Sequence, residues 1–207
     1  GNNAEEFGRI AGKLKKVGEN VVGIEVNISC PNVANRGLVF ACQPESAHEV
    51  ISIVRRTIGG SYPIFAKLSP DVTDIVSIAK AVVDAGASGV SVINTLLGMV
   101  IDTQLMKPAL AGVTGGLSGP AIRPVAVRAV WQIRQAFPDL PIIGMGGILS
   151  GNDAFEFVLA GANAFAIGTA NFHDPSSISR IQSELAQILF ERGFSSLQEA
   201  VSFAHRN

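Results

Sequence analysis

Residues 141–168 have the sequence PIIGMGGILSGNDAFEFVLAGANAFAIG, which contains a complete strand–helix–strand unit. Pro141 to Met145 and Ala164 to Ile167 are short apolar runs typical of buried strands, and glycines follow both of them. Asn152 to Leu159, between them, is interpreted as a short helix. A strand, a helix and a second strand predict a parallel pair, because only a crossover returns the chain to the same end of a sheet.

The same alternation extends towards the start of the chain. We predict strands at 21–29, 63–68 and 89–94, a long loop from 94 to 119, and helices at 4–17, 45–58, 74–84, 121–137, 176–192 and 196–205. Five strands in strict alternation with helices predict an α/β fold with a parallel sheet, either doubly wound or part of a barrel. No GxGxxG sequence follows an early strand, which weakens the dinucleotide-binding alternative.

We therefore predict a (β/α)8 TIM barrel, with residues 1–207 forming a single domain. A complete barrel takes about 250 residues, so this chain is expected to supply the C-terminal portion, with about the last five strands and their helices. The first three strands are expected to be missing.

Composition argues against several classes of function. The net charge of -1 gives no reason to expect nucleic acid or an anionic membrane as a partner. No apolar run approaches the roughly 20 residues of a membrane helix. Two cysteines, Cys30 and Cys42, are too few for a disulfide scaffold and favour reduced thiols in the cytoplasm. Together with His48 they lack the close paired spacing of a zinc site, so no metal is predicted.

The most distinctive local motif is Asn27-Ile28-Ser29-Cys30-Pro31-Asn32, at the end of a strand. Its carboxamides can each donate and accept hydrogen bonds to a planar, amide-like ligand. Its thiol, Cys30, can act as an acid or base on a nearby carbon. Taken alone, the motif favours a simpler interpretation, a small buried cysteine in a turn.

Other polar groups follow the later strands. Lys67 lies near the end of the strand at 63–68, where its ammonium suits the negative charge that a cofactor ring gains on reduction. Alternatively, Lys67 is an ordinary exposed lysine at the point where the strand reaches the surface. Asn94 and Thr95 add an amide and a hydroxyl at the same edge of the sheet. The alternative for Asn94 is that it simply ends the strand, as asparagine commonly does.

Three loops are rich in glycine: 115–119, 144–147 and 168–169. Glycines allow backbone N–H groups to approach a phosphate closely, and barrel enzymes commonly bind phosphate after their last two strands. One such loop would more often be a turn, but two on adjacent strands favour a ligand that carries phosphate. We expect a side chain at Gly147 to occupy the space that the phosphate needs, so that a valine there would remove the ligand and leave the fold intact.

Five segments together resemble class 1 dihydroorotate dehydrogenases, and the resemblance spans essentially the whole chain. The segments are NISCPN at 27–32, FAKLSPDVTDI at 65–75, INTLLGMVID at 93–102, TGGLSGPAIR at 114–123 and IIGMGGI at 142–148. INTLLGM at 93–99, followed by TGGLSGPAI at 114–122, resembles specifically the 1B subclass, whose members work with an FAD and iron–sulfur subunit and NAD. Dihydropyrimidine dehydrogenase has a related domain.

The resemblance implies oxidation of dihydroorotate to orotate in pyrimidine biosynthesis, with FMN as the cofactor, a homodimer and a cytoplasmic location. Cys30 would take the proton from C5, and Asn27, Asn32, Asn94 and Thr95 would hold the pyrimidine. The implied FMN contacts are Lys67 at the N1/O2 edge, Ile93 near the ring, and Ser118, Gly119, Gly146, Gly147, Gly168 and Thr169 around the phosphate and ribityl chain.

Several alternatives stay open from the sequence. Another FMN barrel, such as a dihydropyrimidine dehydrogenase-like enzyme, would share many of these segments. A tRNA dihydrouridine synthase should show a basic face, which the net charge of -1 does not favour. Two further alternatives are a phosphate-binding lyase or isomerase, which would contain no flavin, and a fragment of a barrel enzyme that has no activity of its own.

Overall fold

The computed structural model describes residues 3–17, 20–29, 42–60 and 62–206. The strands within these ranges are Ile24–Asn27 (β1), Ile64–Leu68 (β2), Gly89–Val92 (β3), Leu96–Gly98 (β4), Ile101–Asp102 (β5), Lys107–Pro108 (β6), Gly115–Leu117 (β7), Ile142–Met145 (β8) and Ala164–Ala166 (β9). The α-helices are Ala4–Val17 (α1), Pro44–Ile58 (α2), Ile75–Asp84 (α3), Arg123–Ala136 (α4), Gly151–Ala160 (α5), Ala170–His173 (α6), Ser177–Glu191 (α7) and Leu197–Ala200 (α8). Short 3-10 helices occur at Pro120–Ile122 and Phe203–Arg206.

The main sheet is parallel, and its strands lie side by side in the order β1-β2-β3-β8-β9, which is also their order along the chain. A doubly wound sheet would instead reverse its strand order at a switch point. The sequential order is that of a barrel wall, the one of the two predicted α/β folds that the sequence analysis favoured.

The helices form a continuous row beside this sheet. Contacts join α1 to α2, α2 to α3, α3 to α4, α4 to α5 and α5 to α7. In a doubly wound fold, successive helices would lie on both faces of the sheet, whereas a barrel places all of them outside. The core lies between this row and the sheet, and includes the fully buried side chains of Ile64, Val90, Ile142 and Phe157.

Local signals in the sequence explain where the helices begin and end. The Asp74 carboxylate accepts hydrogen bonds from the N–H groups of Val76 and Ser77 and so begins α3. Ser150 and Asp153 form a capping box at the start of α5, and Gly161 ends that helix with a φ of 119°. Asp74 and Ser150 thus cap the helix ends that follow the carboxyl ends of β2 and β8.

Arg134 of α4 is a buried cation. Its guanidinium donates to the carbonyl oxygens of Gly161, Phe137 and Pro138 and to the side chain of Asn163. Burial lowers the pKa of Arg134, and the nearby Asp139 carboxylate partly offsets that effect. The side chain thereby ties α4 to the loop between α5 and β9, because one planar group satisfies several buried carbonyls.

The fold differs from the sequence prediction in several places. The first strand begins at Ile24 rather than residue 21, because its ladder with β2 starts at the hydrogen bond from Ile24 N–H to the Pro63 carbonyl. The predicted loop from 94 to 119 contains four short strands, with β4 antiparallel to β7 and β5 antiparallel to β6. The last predicted helix is broken at Val201 and Ser202, where Ser202 has a φ of 63°.

No helix in the described part of the chain is long and apolar enough to cross a membrane.

Candidate active site

A cavity of about 330 Å³ lies at the carboxyl ends of the parallel strands, with Lys67, Met145 and Ala166 among its walls. The volume falls in the range of about 300–1,000 Å³ that is usual for small-molecule sites. The position also matches the end of the strands at which barrel enzymes place their chemistry.

The structure brings most of the predicted site residues to this cavity. Those lining it are Lys67, Ile93, Asn94, Thr95, Ser118, Gly119, Gly146, Gly147, Gly168 and Thr169. Asn27 is connected to the cavity through a hydrogen bond with Asn94. Cys30 and Asn32 lie outside the described residues. The structure therefore gives the locations of the predicted site residues other than Cys30 and Asn32, and the individual roles of all of them stay predictions.

The ends of β1 and β3 are joined by a cluster of polar side chains. The amide nitrogen of Asn94 donates to Oδ1 of Asn27 at 3.1 Å and to the Ser29 hydroxyl at 2.7 Å. Oδ1 of Asn27 also accepts from the N–H and hydroxyl of Ser29. Oδ1 of Asn94 accepts from the N–H of Thr95 at 2.7 Å. Asn94 therefore uses both ends of its amide to organise the rim, whereas the amide nitrogen of Asn27 has no partner among the described residues.

Glycines give two of the loops beside the cavity a backbone conformation that other residues rarely adopt. Gly119, Gly146 and Gly147 have φ values of 86°, 130° and 78°, which disfavour any residue with a side chain. A Cβ at Gly147 would lie 2.7 Å from the carbonyl oxygen of Gly119. The expectation that valine at Gly147 would leave the fold intact is therefore wrong, because the clash is with the protein backbone.

Gly168 differs from Gly147 in what surrounds it. A Cβ built on Gly168 meets no atom within 4 Å, although the residue lines the cavity. Nearby, the Thr169 hydroxyl donates to the Ser118 hydroxyl at 2.9 Å, which joins the loop after β9 to the loop before α4. The open space beside Gly168 is thus room into which a ligand can approach the backbone.

A network of charged side chains holds the loop after β8. The Asp153 carboxylate accepts from the N–H groups of Leu149 and Ser150, and it pairs with Arg123. Glu184 accepts from Gly151 N–H at 2.6 Å. Hydrogen bonds from Arg180 and, to a smaller degree, from Gly151 lower the pKa of Glu184, so this carboxylate stays ionised at neutral pH. The loop that carries Gly146 and Gly147 is therefore anchored from α5 and α7.

Lys67 has an acidic neighbour that the sequence analysis missed. Its Nζ lies 3.6 Å from Oε1 of Glu25, and both residues line the cavity. The signal was available, because Glu25 and Asn27 are two residues apart on one strand and must share a face. The charge of Lys67 is thus partly balanced within the site.

The remaining wall of the cavity is mostly apolar and was also missed. It is formed by Ile122, Met145, Ile148, Leu149, Ala166, Ile167 and Ala170. Apolar residues at strand ends look like ordinary core residues in a sequence, so no local signal distinguishes them. No group of three or more potential metal ligands occurs among residues 3–17, 20–29, 42–60 and 62–206.

A sequential parallel sheet, a single row of helices and a ligand-sized cavity at the strand ends define a protein of the (β/α)-barrel class. Residues 1–189 match the sequence model of the dihydroorotate dehydrogenase family, so the chain belongs to that family. The predicted family and barrel fold are thereby confirmed.

Two curated relatives show how much of the family's length is present. The chain is 53% identical over 201 residues to the dihydroorotate dehydrogenase B (NAD(+)) catalytic subunit of Geotalea daltonii, covering 97% of this chain and 65% of that protein. It is 49% identical over 205 residues to the protein of the same name from Desulforamulus reducens, covering 99% of this chain and 66% of that protein. The chain therefore spans about two thirds of these relatives.

A solved structure supports the same fold. It is the crystal structure of the dihydroorotate dehydrogenase of Eimeria tenella in complex with ferulenol, which is 25% identical in sequence and superposes with a TM-score of 0.79. The superposition covers 96% of this chain and 58% of that one. The five-stranded sheet thus corresponds to part of a barrel of this family.

Proposed function

We propose that this chain carries the FMN-binding end and part of the substrate site of a barrel that oxidises dihydroorotate to orotate in de novo pyrimidine biosynthesis. The observation that supports this most strongly is that the described residues assigned to FMN line one cavity. They come from separate loops and strands, and the family match covers all of those elements. Residues 1–207 are assigned to a single FMN-binding barrel domain.

The residues present fit FMN. Gly119 and Gly168 both face open space, since a Cβ on either meets no atom within 4 Å, and both line the cavity. A phosphate can therefore approach the backbone N–H groups there. The hydroxyls of Ser118 and Thr169 add polar partners, and Lys67 supplies the positive charge assigned to the N1/O2 edge of the ring.

The reaction divides between the cofactor and the chain. When bound beside Lys67 and Ile93, FMN would supply the acceptor for the hydride from C6 of dihydroorotate. Cys30 is assigned the proton from C5, so that loss of one hydride and one proton leaves the double bond of orotate. Asn27, whose amide nitrogen is free among the described residues, is assigned to hold the pyrimidine with Asn32, Asn94 and Thr95.

Partner proteins are proposed on two grounds. The relatives are named catalytic subunits of an NAD(+) enzyme, which supports a separate FAD and iron–sulfur subunit that passes electrons to NAD. The β4–β7 segment exposes Leu97, Met99, Val100, Ile101, Leu105, Met106, Leu110, Val113 and Leu117. So many exposed apolar side chains in one segment support a homodimer that buries them. The cytoplasmic location stays a prediction.

Gly168→Val tests the phosphate assignment. The valine methyl groups would enter the open space beside the backbone, so we expect FMN to bind at least about tenfold more weakly. Flavin content and the melting temperature are measured together. The control is Gly60→Val. A Cβ at Gly60 also meets open space, but Gly60 precedes β2 and therefore lies at the end of the sheet opposite to the cavity. Full flavin content in Gly168→Val would show that the phosphate lies elsewhere.

Cys30→Ser tests the base. Thiols ionise near a pKa of about 8.5, so flavin reduction by dihydroorotate should accelerate as the pH rises towards that value. Serine stays protonated throughout, and we expect reduction to slow by at least about 100-fold with unchanged FMN content.

Cys42→Ser is the control for this experiment. Two effects raise the pKa of Cys42: mainly the loss of hydration on burial, and to a smaller degree the nearby Asp71 carboxylate. Its thiol is therefore protonated at neutral pH and is assigned no chemistry. Equal losses in both variants, or no loss in Cys30→Ser, would leave Cys30 as a structural residue.

Val100→Glu tests the proposed dimer. Val100 is 63% exposed in the β4–β7 segment, and a carboxylate there would have to be buried in the interface. Sedimentation should show the variant as a monomer under conditions in which the unmodified protein is a dimer. The control is Val22→Glu, at a residue that is 91% exposed before β1. If Val100→Glu sediments like the unmodified protein, the interface lies on another surface.

A further inference from the structure

The charge of the cavity depends on two side chains. Among the described residues that line it, Glu25 and Lys67 carry charges, and the others are neutral. Their Oε1 and Nζ atoms are 3.6 Å apart. Because the opposite charges largely cancel beyond the pair, the described lining of the cavity is close to neutral, whereas Lys67 alone would make it positive.

The strand register places Glu25 on the side of Lys67 away from the cavity mouth. Lys67 lies directly opposite Asn27, and Glu25 is two residue pairs further from the carboxyl ends, opposite Phe65. On the other neighbouring strand, Ser91 lies opposite Lys67, and its buried hydroxyl has no partner among the described residues. Glu25 is therefore the acidic group that holds the ammonium of Lys67 in the described part of the chain.

Stability does not explain this ion pair. The side chains of Lys67 and Glu25 are 23% and 39% exposed, and pairs with this access to water contribute little to the free energy of unfolding. Replacing the carboxylate should therefore change the electrostatics of the cavity and leave the fold intact.

We propose that Glu25 is a positioning residue that holds the Lys67 ammonium and lowers the reduction potential of the bound flavin. This inference rests on the proposed function. A flavin ring gains negative charge on reduction, and an ammonium beside it favours the reduced form. The Glu25 carboxylate offsets that effect, so the flavin stays a stronger electron donor than Lys67 alone would make it. A strong donor suits an enzyme whose electrons pass on towards NAD.

The test measures the midpoint potential of the flavin in the flavin-loaded protein and in Glu25→Gln, which keeps the shape of the side chain and removes its charge. We expect the ratio of reduced to oxidised flavin at a fixed potential to rise about tenfold, which equals about 30 mV for a two-electron couple. Glu25→Asp should restore most of the original potential, because it restores the charge. Flavin content and melting temperature confirm that each variant is folded and loaded.

The matched control is Glu49→Gln, on the exposed surface of α2, which should leave the potential unchanged. An unchanged or lower potential in Glu25→Gln would overturn the role of Glu25, as would an equal rise in Glu49→Gln. If the unmodified protein binds no flavin at all, the proposed function fails and this inference fails with it. An unmodified protein that is loaded with flavin, beside a Glu25→Gln variant of unchanged potential, refutes the inference alone.

Discussion

The parallel hydrogen-bonding ladder of the main sheet is the constraint on which the candidate site depends. Each of its strands runs in the same direction, so the carboxyl ends of neighbouring strands meet at one edge. The register places Asn27 opposite Lys67 and Met145 opposite Ala166. Groups that are far apart in the sequence, such as Lys67 and Gly168, therefore border the same cavity.

A site at strand ends also needs loops that hold their shape. On one side, Asn94 joins the ends of β1 and β3 through its hydrogen bonds with Asn27 and Ser29. On the other side, Asp153 and Glu184 hold the backbone of the loop after β8. These carboxylates accept from backbone N–H groups, so the loop that carries Gly146 and Gly147 is shaped before any ligand arrives.

The sequence predicted the main sheet and most of the cavity because both depend on periodic or local patterns. Apolar runs followed by glycine mark β8 and β9, and the polar residues after the strands mark the cavity. The four strands from β4 to β7 were missed, since strands of two or three residues have no visible period.

Contacts between residues far apart in the chain could not be predicted from the sequence pattern either. Arg134 looks like a surface residue of a helix, and only the fold shows that it binds the carbonyl of Gly161. Glu25 could have been found, since it shares a strand face with Asn27, but its pairing with Lys67 required the register of β1 with β2. The assignments of Cys30 and Asn32 rest on the resemblance and stay predictions.

Anaerobic titration of the flavin-loaded protein with dihydroorotate tests the central claim most directly. The account predicts that the absorbance of the oxidised flavin disappears as dihydroorotate is added, with orotate formed in an amount equal to the flavin. Dihydrouracil, which lacks the carboxylate of dihydroorotate, should leave the absorbance unchanged. A protein without flavin, or a flavin that dihydrouracil reduces and dihydroorotate does not, would contradict the account.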